Sequence, residues 1–172
     1  MSKSYIIPVL LISILLLSSC SMGGGRMIIY DNSDKKADAR MEQLLETIEK
    51  GDRDAFKAMF SKQALNEADD FNGGVEYLFG FFEGSVDSWK RDDFTYEGSK
   101  SHGKESIMLV SWYTVVTDKD KYMFFIIDYT KDTIDPDNAG LYALRVIKAK
   151  DKEEQFTYYE DMQIAGIYKP KE

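Results

Sequence analysis

From Ser33 onward the apolar positions repeat with helical spacing. Ala37, Met41, Leu44, Leu45 and Ile48 fall at i, i+4, i+7, i+8 and i+11, the single face of an amphipathic helix, with Ser33 or Asp34 placed to cap its start. Gly51 suits the stop of that helix, and Asp52 the N-cap of a second one from Arg53 to about Phe60 that buries Ala55, Phe56, Met59 and Phe60. A third helix is predicted from about Gly74 to Gly84 on Val75, Leu78, Phe79, Phe82 and Val86, capped by Asp69, Asp70 or Asn72. Tyr77 and Phe81, four residues apart, make it aromatic on a second face as well. After Gly84 the period changes to two. Strands are predicted at 85–98, 104–117, 121–131 and 140–150, with a short final strand at 163–168. Short polar turns separate the first four, which predicts an antiparallel meander. The second and third strands are apolar on both faces. Ile107, Leu109, Tyr113 and Val115 oppose Met108, Val110, Trp112 and Val116, so these strands are expected at the centre with both sides covered. The pattern predicts an α+β fold: three N-terminal helices packed on a curved antiparallel sheet.

Upstream lies a different kind of segment. Lys3 precedes an apolar run from Ile6 to Leu17, which ends in Leu17-Ser18-Ser19-Cys20. As a helix the run reaches about 18 Å, short of the roughly 20 apolar residues a bilayer core demands, so it suits the core of a secretion signal. An aliphatic residue, two small residues and a Cys resemble a bacterial lipobox. The resemblance implies cleavage before Cys20 and acylation of its sulfur, and two acyl chains hold a protein on a membrane where one is marginal. The expected organisation is a lipoprotein signal peptide at 1–19, a lipidated Cys and flexible tether at 20–33 containing Gly23-Gly24-Gly25, and a single α+β domain at 34–172.

Composition narrows the function. The chain has 172 residues, with 22 Lys and Arg against 30 Asp and Glu, and a formal charge of -8. That balance argues against nucleic acid, whose phosphates need clustered cations. One Cys allows no internal disulfide, and one His excludes a zinc site built on several His or Cys ligands. The family resemblance rests on Gly51-Asp52 followed by Ala55, Phe56 and Phe60, then Phe81-Phe82-Glu83-Gly84, then Gly140-Leu141-Tyr142. These resemble uncharacterised bacterial lipoproteins carrying a domain of unknown function, over roughly residues 34 to 168. The resemblance implies a nuclear-transport-factor-2-like, cystatin-like cone. That superfamily holds isomerases, dehydratases, ligand binders and dimerisation modules, so the fold names no chemistry.

Candidate chemistry is sparse. Asp128 follows Phe124 and Ile126 on one strand face and is the weak catalytic candidate, a pocket carboxylate of the kind that serves as general acid or base; the alternative is a residue that marks the strand end on a solvated or dimerising face. His102 sits in a loop and reads as a surface group. Asp132, Asp135, Asp137 and Asn138 offer oxygen ligands without the order of a calcium loop, and read as a turn. Tyr77, Phe81, Trp89, Trp112, Tyr113 and Tyr142 are the candidates to line a pocket, against a role as core or interface. No cofactor or metal is expected. The expected function is an extracytoplasmic, membrane-anchored lipoprotein that binds a small ligand or a partner protein. The alternatives are an isomerase- or dehydratase-like enzyme and a homodimerising module without ligand.

Overall fold

The computed structural model describes residues 32–156 and 163–169. The signal and lipobox expectations, Cys20 among them, lie outside those residues. Four helices come first: α1 (Ser33–Lys50), α2 (Arg53–Ala58), α3 (Lys62–Glu67) and α4 (Phe71–Phe81). The sheet follows as β1 (Val86–Ser101), β2 (Lys104–Thr117), β3 (Lys121–Asp132) and β4 (Gly140–Lys148), then the short α5 (Lys152–Gln155) and β5 (Gly166–Ile167). The expectation of three helices is corrected to four. Helix α3 has only six residues, too few for its periodicity to register, although Ser61 caps it by accepting from the Ala64 amide.

Local signals placed most boundaries. Gly51 closes α1 in the left-handed region at φ 67°, and Asp52 accepts from the Ala55 amide at 2.9 Å. Asp70 caps α4 through the Gly73 amide, so that helix begins at Phe71, earlier than Gly74. The start of α1 differs from expectation. Asn32 is its N-cap, at φ 76° and without a side-chain cap bond, while Ser33 is buried.

The sheet order is β1-β2-β3-β4-β5. The first four strands are the antiparallel meander, whereas β5 pairs with β4 in parallel. Their two-sided apolar pattern puts β2 and β3 at the centre. On one side the helices cover a core in which Met41, Leu44, Phe56, Leu78, Tyr113, Phe124 and Leu141 are almost wholly buried. Burying one such apolar side chain stabilises the fold by roughly 1.5–3 kcal/mol. On the other side Val110, Phe125, Ile127 and Ala143 are buried with Phe156 packed against them. Arg145 also lies on this side, with its guanidinium 3.7 Å from the Tyr168 ring centroid. The Tyr168 amide donates to Leu144 O at 2.9 Å and extends the pairing of β5.

One close approach locks the helices to the sheet. Ser61 N donates to Leu141 O and Leu141 N to Met59 O, both at 2.9 Å, a parallel bridge between Phe60 and Leu141. Gly140 enters it at φ 125°, where a Cβ would lie 2.9 Å from Ser61 N.

Candidate functional site

Asp128 sits at a register shift in β3, where Ile127 faces Ala143 but Asp128 faces Leu141. Its side chain is buried on the helix-covered side, so the solvated-face reading is corrected: Asp128 is 2% exposed. The reason is a partner on α1. Arg40 Nε donates to Asp128 Oδ2 at 2.9 Å and Nη2 to Oδ1 at 3.4 Å, while Nη1 donates to Gln43 Oε1 at 3.1 Å. This two-point clamp takes both carboxylate oxygens and makes the charge tolerable under the helix. A cleft of about 230 Å³ opens beside the pair, lined by Lys36, Ala39, Arg40, Gln43, Asp128 and Thr130.

A second polar network ties α1 to β1 and β2. Tyr113 donates to Asp38 Oδ1 at 3.1 Å, and Arg91 Nη1 donates to the same oxygen at 2.6 Å and to Asp34 O at 2.8 Å. Burial, then the nearby Asp38 charge, push the Tyr113 hydroxyl far above the ordinary phenol range, so it stays a donor. Trp89 meets Tyr113 edge-on, with centroids 5.6 Å apart. The half-buried Trp89 is also a wall of an open cleft of about 290 Å³, shared with Leu45, Val86, Glu42, Glu46, Glu49 and Lys50. Two of these acids are engaged: Glu49 accepts from the Val86 amide at 2.9 Å, and Glu46 pairs with Lys50. That hydrogen bond to Glu46 raises Lys50 above the ordinary amine range.

The other aromatic candidates lie elsewhere. Tyr77 stacks on Phe81 at 5.2 Å, and Phe81 meets Tyr122 edge-on. Trp112 packs on Phe125 at 4.9 Å on the opposite side of the sheet. Tyr142 donates to Glu67 Oε2 at 2.7 Å; burial and that bond push its hydroxyl up to about 12. The six aromatics therefore do not converge on one pocket, and Trp89 is the one that lines a described cleft. Alternation along a strand shows which residues share a face, but not which neighbour fills the space above them.

The acidic turn after β3 is a structural hub. Asp132 accepts from the Ile134 and Asp135 amides, Ser106 Oγ and Asn138 Nδ2. Burial pushes its carboxyl up, but these bonds outweigh burial and hold it below the ordinary range. Asp135 and Asp137 stay on the exposed turn, where Asp137 pairs with Lys62 at 3.0 Å. Among the described residues no group of three or more His, Cys, Asp or Glu is placed to hold a metal ion. No described helix is long and apolar enough to cross a membrane. Sequence reading missed Arg40, Asp38 and Arg91. The one signal for Asp38 and Arg40 was charge on α1 next to its apolar stripe, with Asp38 beside Ala37 and Arg40 beside Met41; Arg91 on β1 had none.

The fold and these two clefts define an α+β protein with its helices at the N-terminal end of a mostly antiparallel open sheet. The chain belongs to a family described as a domain of unknown function, DUF5104, whose match covers residues 43–149. That span runs from the middle of α1 through β4 and includes Trp89 and Asp128. No curated protein matches the chain.

Proposed function

We propose that this chain is an extracytoplasmic lipoprotein, acylated at Cys20 and anchored on the bacterial cell membrane. Its domain is a nuclear-transport-factor-2-like cone that binds a small ligand or partner protein at the cleft beside Trp89. The observation that carries the binding reading is the Trp89 cleft itself. It offers a half-buried indole and Leu45 as an apolar floor, with charged groups at the rim, the composition of a recognition site. The enzyme reading is weaker because Asp128 would have to release Arg40 before it could move a proton. The dimer reading needs an exposed apolar sheet face, and the apolar centres of both faces are buried.

Native mass spectrometry of the purified chain tests the binding reading. The expected result is excess mass that leaves on unfolding and is lost in Glu42→Lys, a change at an exposed rim position. Excess mass that Glu42→Lys retains places the ligand elsewhere. A clean dimer without extra mass replaces the binder with an interaction module. Anchoring is tested separately: Cys20→Ser is expected to abolish incorporation of labelled palmitate, and retained label would remove Cys20 as the acylated residue.

A further inference from the structure

The cleft beside Arg40 is rich in hydrogen-bond donors and short of free acceptors. Its lining comes from Lys36, Ala39, Arg40 and Gln43 of α1 and from Asp128 and Thr130 of β3. The four α1 residues fall at i, i+3, i+4 and i+7, on the flank of the helix away from Glu42, Glu46 and Glu49. Asp128 and Gln43 take three of the Arg40 N–H groups, which leaves one spare on each terminal nitrogen. Gln43 turns its Oε1 to Arg40, so its amide N–H groups are spare as well. Thr130 Oγ1 is buried and finds no hydrogen-bond partner among the described residues. A buried hydroxyl without a partner is a cost that folded chains rarely carry. Lys36 is exposed and forms no ion pair among the described residues.

The acids around the cleft are already engaged. Arg40 takes both oxygens of Asp128. Glu105 on β2 is held by Lys131, and of the cations that act on Glu105 Lys36 is the weakest. Asp132, two residues past Thr130, accepts from Ser106, Asn138 and two amides of its turn. Asp135 accepts from the Asp137 amide, and Asp137 holds Lys62. In the lining itself, Lys36 and Arg40 against Asp128 leave one positive charge.

We infer that this cleft is a binding site for the carboxylate of a small organic acid. A planar carboxylate fits the paired N–H groups that Arg40 has left, and its single negative charge matches the charge of the lining. Lys36 adds a second cationic donor, and Thr130 supplies a hydroxyl that nothing else uses. Asp128 and Gln43 fix the guanidinium in advance, so little side-chain freedom is lost on binding. The volume of about 230 Å³ suits a carboxylate with a few carbons, below the roughly 300 Å³ at which pockets hold drug-sized ligands. This site is separate from the Trp89 cleft and does not rest on it.

The test is a titration of the purified chain with sodium acetate, followed by heteronuclear NMR at an ionic strength held constant with sodium chloride. Saturable shifts are expected at the Ala39, Gln43 and Thr130 amides. Lys36→Gln is expected to weaken acetate at least about fivefold, and Thr130→Val about threefold. Both changes spare the fold, since Lys36 is exposed and Val keeps the shape of Thr without its hydroxyl; an unchanged urea midpoint checks this. Shifts that chloride alone reproduces, or an acetate affinity that both variants keep, overturn the site. Inorganic phosphate that binds the same residues more tightly than acetate overturns the carboxylate and makes a phosphoryl group the ligand. Loss of excess mass in Glu42→Lys and loss of acetate in Lys36→Gln are separate readouts, so either cleft can fail alone.

Discussion

Arg40 and Asp128 show how one residue pair can be both a liability and a constraint. A carboxylate that is 2% exposed is tolerated because the guanidinium takes both of its oxygens. Removing one member leaves the other without its counter-charge. Asp128→Asn is therefore expected to lower stability by about 3 kcal/mol in urea unfolding. Replacing both, Arg40→Met with Asp128→Leu, is expected to recover most of that loss; equal destabilisation by the double variant would show that the pair is not the cause. Asp132 is the second sensitive residue. Its folded-state affinity for protons is depressed, so it binds them more readily in the unfolded chain. Its stabilisation is complete above the ordinary carboxylate range and is lost as the pH falls below about 4. The urea midpoint is expected to drop between pH 5 and pH 3, and to drop by less in Asp132→Asn.

Among the elements, the link between the end of α2 and β4 is a close one. The Phe60–Leu141 bridge leaves no room for a side chain at Gly140. Gly140→Ala must meet backbone atoms at about 3 Å and adopt φ 125°, so it is expected to cost more than about 2 kcal/mol in urea unfolding. The cleft beside Trp89 depends on a different element pair, α1 over β1, and is expected to survive that change. Besides its apolar face, α1 is tied to the sheet by Arg40 with Asp128, by Asp38 with Tyr113 and Arg91, and by Glu49 with the Val86 amide. Both clefts flank this helix, so its seating sets their shape.

At the scale of the molecule, the acidic excess is the leading electrostatic property. A net charge of -8 predicts general repulsion from an acidic membrane. At the far end of the sheet the exposed Lys100, Lys104 and Lys131 are balanced by Glu105 and by Asp132 and Asp135 of the turn after β3. The Trp89 cleft lies between Glu42, Glu46 and Glu49 of α1 and the beginning of β1, whereas the lysine-bearing hairpin tip is at the far end of β1.

Local rules decided much of this protein directly from its residues. Gly51 and Asp52 had to separate two helices, because one suits a left-handed stop and the other an amide-accepting cap. Two-sided apolar runs had to put β2 and β3 at the centre, since neither face can be left to water. Helix α3 escaped because six residues hold less than two turns of pattern, and the parallel pairing of β5 escaped because two residues carry no alternation. The site was legible only as a set of residue types. Asp128 could be picked out as a carboxylate among apolar neighbours, but its role depended on Arg40, 88 positions away in the chain. The aromatic candidates were equally visible, yet only packing separated Trp89, which borders a cleft, from Trp112 on the opposite side. Periodicity reports what each residue needs from its surroundings, and the folded chain alone determines which distant partner supplies it.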